Sequence, residues 1–197
     1  MVEQSGAGKP SSGRLVTALS VGDVESLGAL VSALDDPILP AQAAVAAWGL
    51  AGVGVRHLDR WIGVALIAPA DSIPRSHPLS AGGMTPGTAG LTLVWIDPES
   101  SVSAVGKRLI QELARQLRGQ VSAIEAQGLP VGSSPLSPPV PWLRQVGFHP
   151  VRYPTGRYRL DLDNLATWLA KVRRLRPNLT LAPLPANRTT LTIGDGS

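Results

Sequence analysis

Cysteine is absent from the 197 residues, which excludes disulfides, thiolate metal sites and a cysteine nucleophile. Aromatic residues are scarce: one Phe, two Tyr and five Trp. Few rings are therefore available to stack on bases, and only Tyr153 and Tyr158 could serve as phenolic acids. Long apolar runs are missing too. The uncharged stretch at 38–55 sits at the lower edge of membrane-spanning length, but it is rich in Ala and Gly and contains Pro40 and Gln42. It reads as a buried helix leading into a strand. The opening MVEQSGAGKPSSGR lacks the apolar core of a signal peptide. A cytoplasmic protein that stays out of the membrane is expected. His57, His77 and His149 are scattered without HExxH or related spacing, so no metal site is expected. GAGKPSS at 6–12 lacks the first P-loop glycine at the required spacing and has Pro10 after its lysine, so it is discounted.

What is present is a hydrophobic fraction of 44%, enough for the core of one ordinary domain. Net charge is +4. Much of the excess is local, in Lys171, Arg173, Arg174 and Arg176. That cluster suits a solvated helix face, with an acidic protein partner as the alternative; nucleic acid is not indicated. Residues 1–13 are Gly/Ser/Pro-rich and expected to be disordered. The folded domain is expected over 14–162, a basic amphipathic helix over 163–176 and a flexible tail over 177–197. Oligomeric state is open, a homodimer included.

Hydrophobic spacing predicts strands at 14–19, 52–57, 61–68, 91–96, 121–126, 148–153 and 157–162. It predicts helices at 23–34, 41–48, 106–117 and 142–146, and a last one capped by Asp163. Two loops rich in Pro, Gly and Ser, at 72–88 and 129–141, are long for a compact domain and fit a functional role. The order is mixed α/β (α+β), one sheet with helices on its faces.

The most informative block is LTLVWIDPESSVSAVGKRLIQELARQL at 91–117. It is an apolar strand, a break at Asp97-Pro98, a loop of small residues and an amphipathic helix. Free amides at such a helix start suit a phosphate or pyrophosphate.

Three features together resemble the GNAT superfamily of N-acetyltransferases: the strand block Leu93-Val94-Trp95-Ile96-Asp97-Pro98-Glu99; the loop Ser101-Val102-Ser103-Ala104-Val105-Gly106, in register with Arg/Gln-x-x-Gly-x-Gly/Ala; and Trp142-Leu143-Arg144-Gln145-Val146-Gly147-Phe148 followed by Tyr158-Arg159-Leu160-Asp161-Leu162. The resemblance implies a GNAT-like fold, a central and mostly antiparallel sheet with helices on both faces. It implies acetyl-CoA as co-substrate, with the pantetheine arm beside Val94, Trp95 and Ile96. The pyrophosphate would lie on Ser101, Val102, Ser103, Ala104, Val105, Gly106 and Lys107. The acceptor would be a primary amine, on a protein or a small molecule.

The departures are specific. Ser101 replaces the long Arg/Gln donor, Ala104 the first glycine and Val102 a second frequent one. Ser101, Ser103 and Lys107 offer compensating hydroxyls and charge. No tyrosine falls between 129 and 147, where the family often keeps its acid. The catalytic acid and base are not assigned; Tyr153 and Tyr158 are candidates for the first, Glu99 and Glu125 for the second. A GNAT-fold binding or regulatory module without catalysis is the alternative.

Overall fold

A computed structural model describes residues 15–132, 134–152 and 154–162. The expected N-terminal segment 1–13, basic helix 163–176 and tail 177–197 lie outside the described residues, as does Tyr153.

Strand β1 (Leu15–Leu19) leads into helix α1 (Val21–Ser26) through Ser20. The Ser20 hydroxyl accepts from the Asp23 N–H at 3.2 Å, and the Asp23 carboxylate accepts from the Ser20 N–H at 2.9 Å, a reciprocal cap. Hydrogen bonds from the Ser20 side chain and backbone hold the Asp23 carboxyl below its usual range. The single helix expected over 23–34 is divided. Gly28 takes φ +50°, which an α-helix does not accommodate, and a 3-10 turn, Gly28–Val31, follows. Val24, Leu27, Val31 and Leu34 nevertheless all reach the core.

Helix α2 (Ile38–Trp48) starts earlier than expected and runs into β2 (Gly52–His57), so the uncharged stretch is helix and strand. Strand β3 (Arg60–Ala68) returns from a tight turn at Leu58 and Asp59. Then come β4 (Thr88–Ile96), α3 (Val102–Leu117), β5 (Ala123–Gln127), α4 (Val140–Gln145), β6 (His149–Pro150) and β7 (Arg157–Asp161). Helix α3 begins at Val102 rather than Gly106: Ser101 is its N-cap, and the Val105 N–H already bonds the Ser101 carbonyl at 3.0 Å.

These strands form one seven-stranded sheet in the order β1-β2-β3-β4-β5-β7-β6. Every pairing is antiparallel except β4 with β5, which α3 joins as a crossover. On one face Val105, Leu109, Ile110, Leu113 and Leu117 of α3, with Trp142 and Leu143 of α4, pack on Val53, Val55, Ala65, Ile67 and Leu91. On the other, the α1–α2 segment covers Val64, Leu66 and Leu93. Leu91 and Leu93 face opposite sides despite their even spacing. The register explains it: Leu66 pairs Leu93 but Ile67 pairs Leu91, so Thr92 is the extra residue of a β-bulge. Among the described residues no helix is long and apolar enough to cross a membrane.

Candidate functional site

Strand β4 changes partners along its length. Only Thr88, Ala89 and Gly90 pair with β5. Past the Thr92 bulge the two strands part. The Asp97 N–H donates to the Ile62 carbonyl of β3 at 3.1 Å. By the alternation of an antiparallel ladder, Val94 and Ile96 therefore aim their N–H groups away from β3, into the gap. A cleft of ≈ 370 Å³ lies here, lined by Val94, Trp95, Ile96 and Pro98 on one side and by Pro135, Pro138, Pro139 and Trp142 on the other.

The turn from β4 to α3 is built on Asp97. Its buried carboxylate accepts from the Glu99 N–H at 3.2 Å and pairs with Arg60 at 3.2 Å, while its carbonyl accepts from the Ser100 N–H at 2.9 Å. Ser101 makes no side-chain cap bond. The amides of Val102, Ser103 and Ala104 therefore open the 16-residue α3 without intrahelical partners, at the positive end of its dipole. Ala104 is exposed, Val105 is buried in the core and Gly106 lies one turn in. The Gly106 amide belongs to the helix ladder, and its Cα faces the Trp142 indole: a Cβ there would fall 2.7 Å from Nε1. Glycine at 106 thus makes room for Trp142. That indole N–H is buried and finds no acceptor among the described residues.

Lys107 lies elsewhere. It lines a larger groove, ≈ 460 Å³, with Ile110, Ala114, Arg118, Val146 and Leu160 between α3 and the end of α4. The larger cavity is therefore not the one at the open strand edge. Of the two long loops expected to border a site, the second supplies the wall of the cleft.

The catalytic candidates separate clearly. Glu125, a candidate base, is buried: its carboxylate accepts from Arg157 at 3.0 Å, from Arg159 at 3.5 Å and from the Thr85 N–H at 3.3 Å. Arg157, also buried, donates to the carbonyls of Leu79 (2.7 Å), Ala81 (2.9 Å) and Gly83 (3.1 Å). This pair ties the 69–87 loop to β5 and β7, and no local pattern in the sequence announces it. Tyr158 is buried against Gly128 and Leu143. Glu99 is exposed beside Arg60 at 3.8 Å. His77, on the first long loop, is buried. Its Nδ1 accepts from the Leu79 N–H at 3.0 Å, so Nε2 carries the proton and donates to the Thr92 carbonyl at 2.8 Å. Burial pushes this imidazole below its ordinary pKa; the Thr92 bond opposes that and the Arg157 charge adds to it.

No family model matches the chain, and no characterised protein matches it by sequence. Solved structures do. A crystal structure of an acetyltransferase is 13% identical, with 75% of this chain and 99% of that one covered, at a TM-score of 0.50. The chain shares the fold of that structure. A GNAT family N-acetyltransferase (YhbS) from Escherichia coli, solved with CoA, is similar at 14% identity over 80% of this chain and 87% of that one, TM-score 0.49. The aminoglycoside acetyltransferase AAC(6')-Ib, solved with coenzyme A and kanamycin, is similar at 14% identity over 79% and 98%, TM-score 0.49. At these identities the likeness is one of fold. The mostly antiparallel sheet with helices on both faces is the one the sequence resemblance implied.

Proposed function

We propose that this chain is a GNAT superfamily member that transfers an acetyl group from acetyl-CoA to a primary amine. The observation that carries the reading is the meeting of two features at one place in that fold. One is the edge of β4 beyond Thr92, which faces a gap. The other is the start of α3, whose first amides carry no side-chain cap. The amides of Val102, Ser103 and Ala104 suit a pyrophosphate, and the N–H groups of Val94 and Ile96 suit the amide carbonyls of a pantetheine arm. Ser101 and Ala104 are exposed at the helix start, whereas Gly106 and Lys107 are engaged elsewhere.

In the reaction the neutral amine nitrogen attacks the thioester carbonyl carbon. The new C–N bond forms, the C–S bond breaks, the thiolate leaves as the thiol after taking a proton, and the nitrogen gives one up. A backbone N–H on the open half of β4 would stabilise the oxyanion. Glu125 is committed to Arg157 and Tyr158 to the core, so of the original described candidates only the exposed Glu99 is available to accept a proton. The acceptor, whether a protein amine or a small one, and a cytoplasmic site of action belong to this proposal.

One observation favours a second reading, a binding module without turnover: the Val94 N–H is already satisfied, by the Pro135 carbonyl at 2.7 Å. Thiol release from acetyl-CoA over a panel of primary amines separates the two. Release that depends on the amine supports the transferase; binding of acetyl-CoA with no release by any amine supports the module.

A further inference from the structure

We propose that the 134–137 hairpin is a removable plug in the slot between β4 and β5, and that acyl-CoA binds only when it withdraws. This rests on the acyl-CoA reading above and adds the regulation of that same site.

The hairpin stands where the arm of the donor would run. Its Pro135 carbonyl takes the Val94 N–H at 2.7 Å, the kind of bond a pantetheine carbonyl would make. Leu136 packs with the cluster under α1 and α2, alongside Trp95, whereas Val140 and Trp142 pack on the opposite face with α3. The segment therefore threads the gap from one side of the sheet to the other.

The plug is also built to leave intact. The Ser134 N–H bonds the Ser137 carbonyl at 3.2 Å and the Ser137 N–H bonds the Ser134 carbonyl at 3.1 Å. The Leu136 N–H bonds the Ser134 hydroxyl at 3.2 Å. The base is closed separately, Leu129 N–H to the Pro138 carbonyl at 3.0 Å and Val140 N–H to the Leu129 carbonyl at 2.9 Å. All of these can survive withdrawal. The one backbone bond from the tip to β4 among the described residues is Pro135 to Val94. Residues 129–141 carry no charge and include five prolines, which have no N–H to strand. A ligand carbonyl would replace the Pro135 carbonyl on Val94, one acceptor for another.

The test uses the full chain with CoA as probe and its own tryptophan fluorescence as signal, since Trp95 and Trp142 both line the cleft. In the wild type the observed binding rate should level off as CoA rises, because withdrawal becomes limiting. Pro135→Gly combined with Leu136→Gly should lower the apparent Kd about tenfold or more and make the rate climb linearly, as expected when a closed state no longer holds back the competent one. The wild-type rate curve needs no variant to fold: a rate that climbs linearly with CoA would by itself overturn the plug. Equal Kd and linear rates in both proteins would overturn the plug and leave the CoA site standing. Absence of CoA binding in both proteins would remove the acyl-CoA reading and the plug with it.

Discussion

The two long loops of this chain share a composition and differ in how they are held. The 69–87 loop, rich in Pro, Gly and Ser, is fastened by the buried Arg157 to three of its own carbonyls and by His77 to the Thr92 bulge. Charged hydrogen bonds in a desolvated setting make that loop part of the fold. The 129–139 loop is fastened mainly to itself and reaches β4 through one backbone bond and Leu136. Content of Pro and Gly predicts neither outcome. What separates the loops is whether a charged side chain from the sheet reaches into them.

The sharpest way to break the contrast is Arg157→Ala. It leaves Glu125 buried with only the more exposed Arg159 and strips three carbonyls of their donor. A loss of about 3 kcal/mol or more in urea unfolding is expected, because the buried carboxylate loses its buried ion-pair partner and keeps only the longer contact to Arg159. Gly106→Ala comes next: its methyl meets Trp142, and overpacking of this kind costs about 1–3 kcal/mol. A bulkier Gly106→Glu would act through the same clash, so lost CoA binding in that variant would say nothing about charge.

The hairpin pair Pro135→Gly and Leu136→Gly should cost about 1–2 kcal/mol, since it removes two partly buried side chains and no charge. A loss as large as that of Arg157→Ala would show that both loops are structural.

The smallest effect is set by pH. Burial holds His77 below its ordinary 6.5, so the unfolded chain takes up more protons than the folded one as pH falls through that value. The contribution of neutral His77 is therefore complete above pH 6.5 and declines below it. Urea midpoints measured downward from neutral pH should fall, and His77→Asn should flatten that slope. An unchanged slope would mean that the His77 lock contributes nothing to holding the first loop.

Much of the frame was legible. Alternation and helical spacing located the seven strands and the described helices, because all but the two-residue β6 bury a face or more of the element. Boundaries failed where one residue overrode the pattern. Gly28 cut the first helix, and Ser101 started α3 before the glycine that seemed to open it. The β4 block and the start of α3 were visible as a strand–loop–helix unit. The role of Gly106 was not, since a glycine that admits an indole from α4 looks in sequence like one that admits a phosphate. The Glu125–Arg157 pair joins residues 32 apart, and Arg157 reaches carbonyls 74 to 78 residues away, distances at which no periodicity speaks. The hairpin on Val94 was hidden for the same reason.

The central claim is that the start of α3 holds the pyrophosphate of acyl-CoA, and Ala104→Glu tests it most directly. Ala104 is exposed and three residues beyond the Ser101 cap, so a glutamate there places a carboxylate in the first turn, at the positive end of the helix dipole, and should stabilise α3 by roughly 0.3–1 kcal/mol. The same carboxylate would repel a pyrophosphate. Calorimetric titration with acetyl-CoA should show micromolar binding to the wild type and at least about tenfold weaker binding to Ala104→Glu, a difference of about 1.4 kcal/mol, with an undiminished Tm. Equal affinity in the two proteins, or no binding by the wild type, would contradict the account.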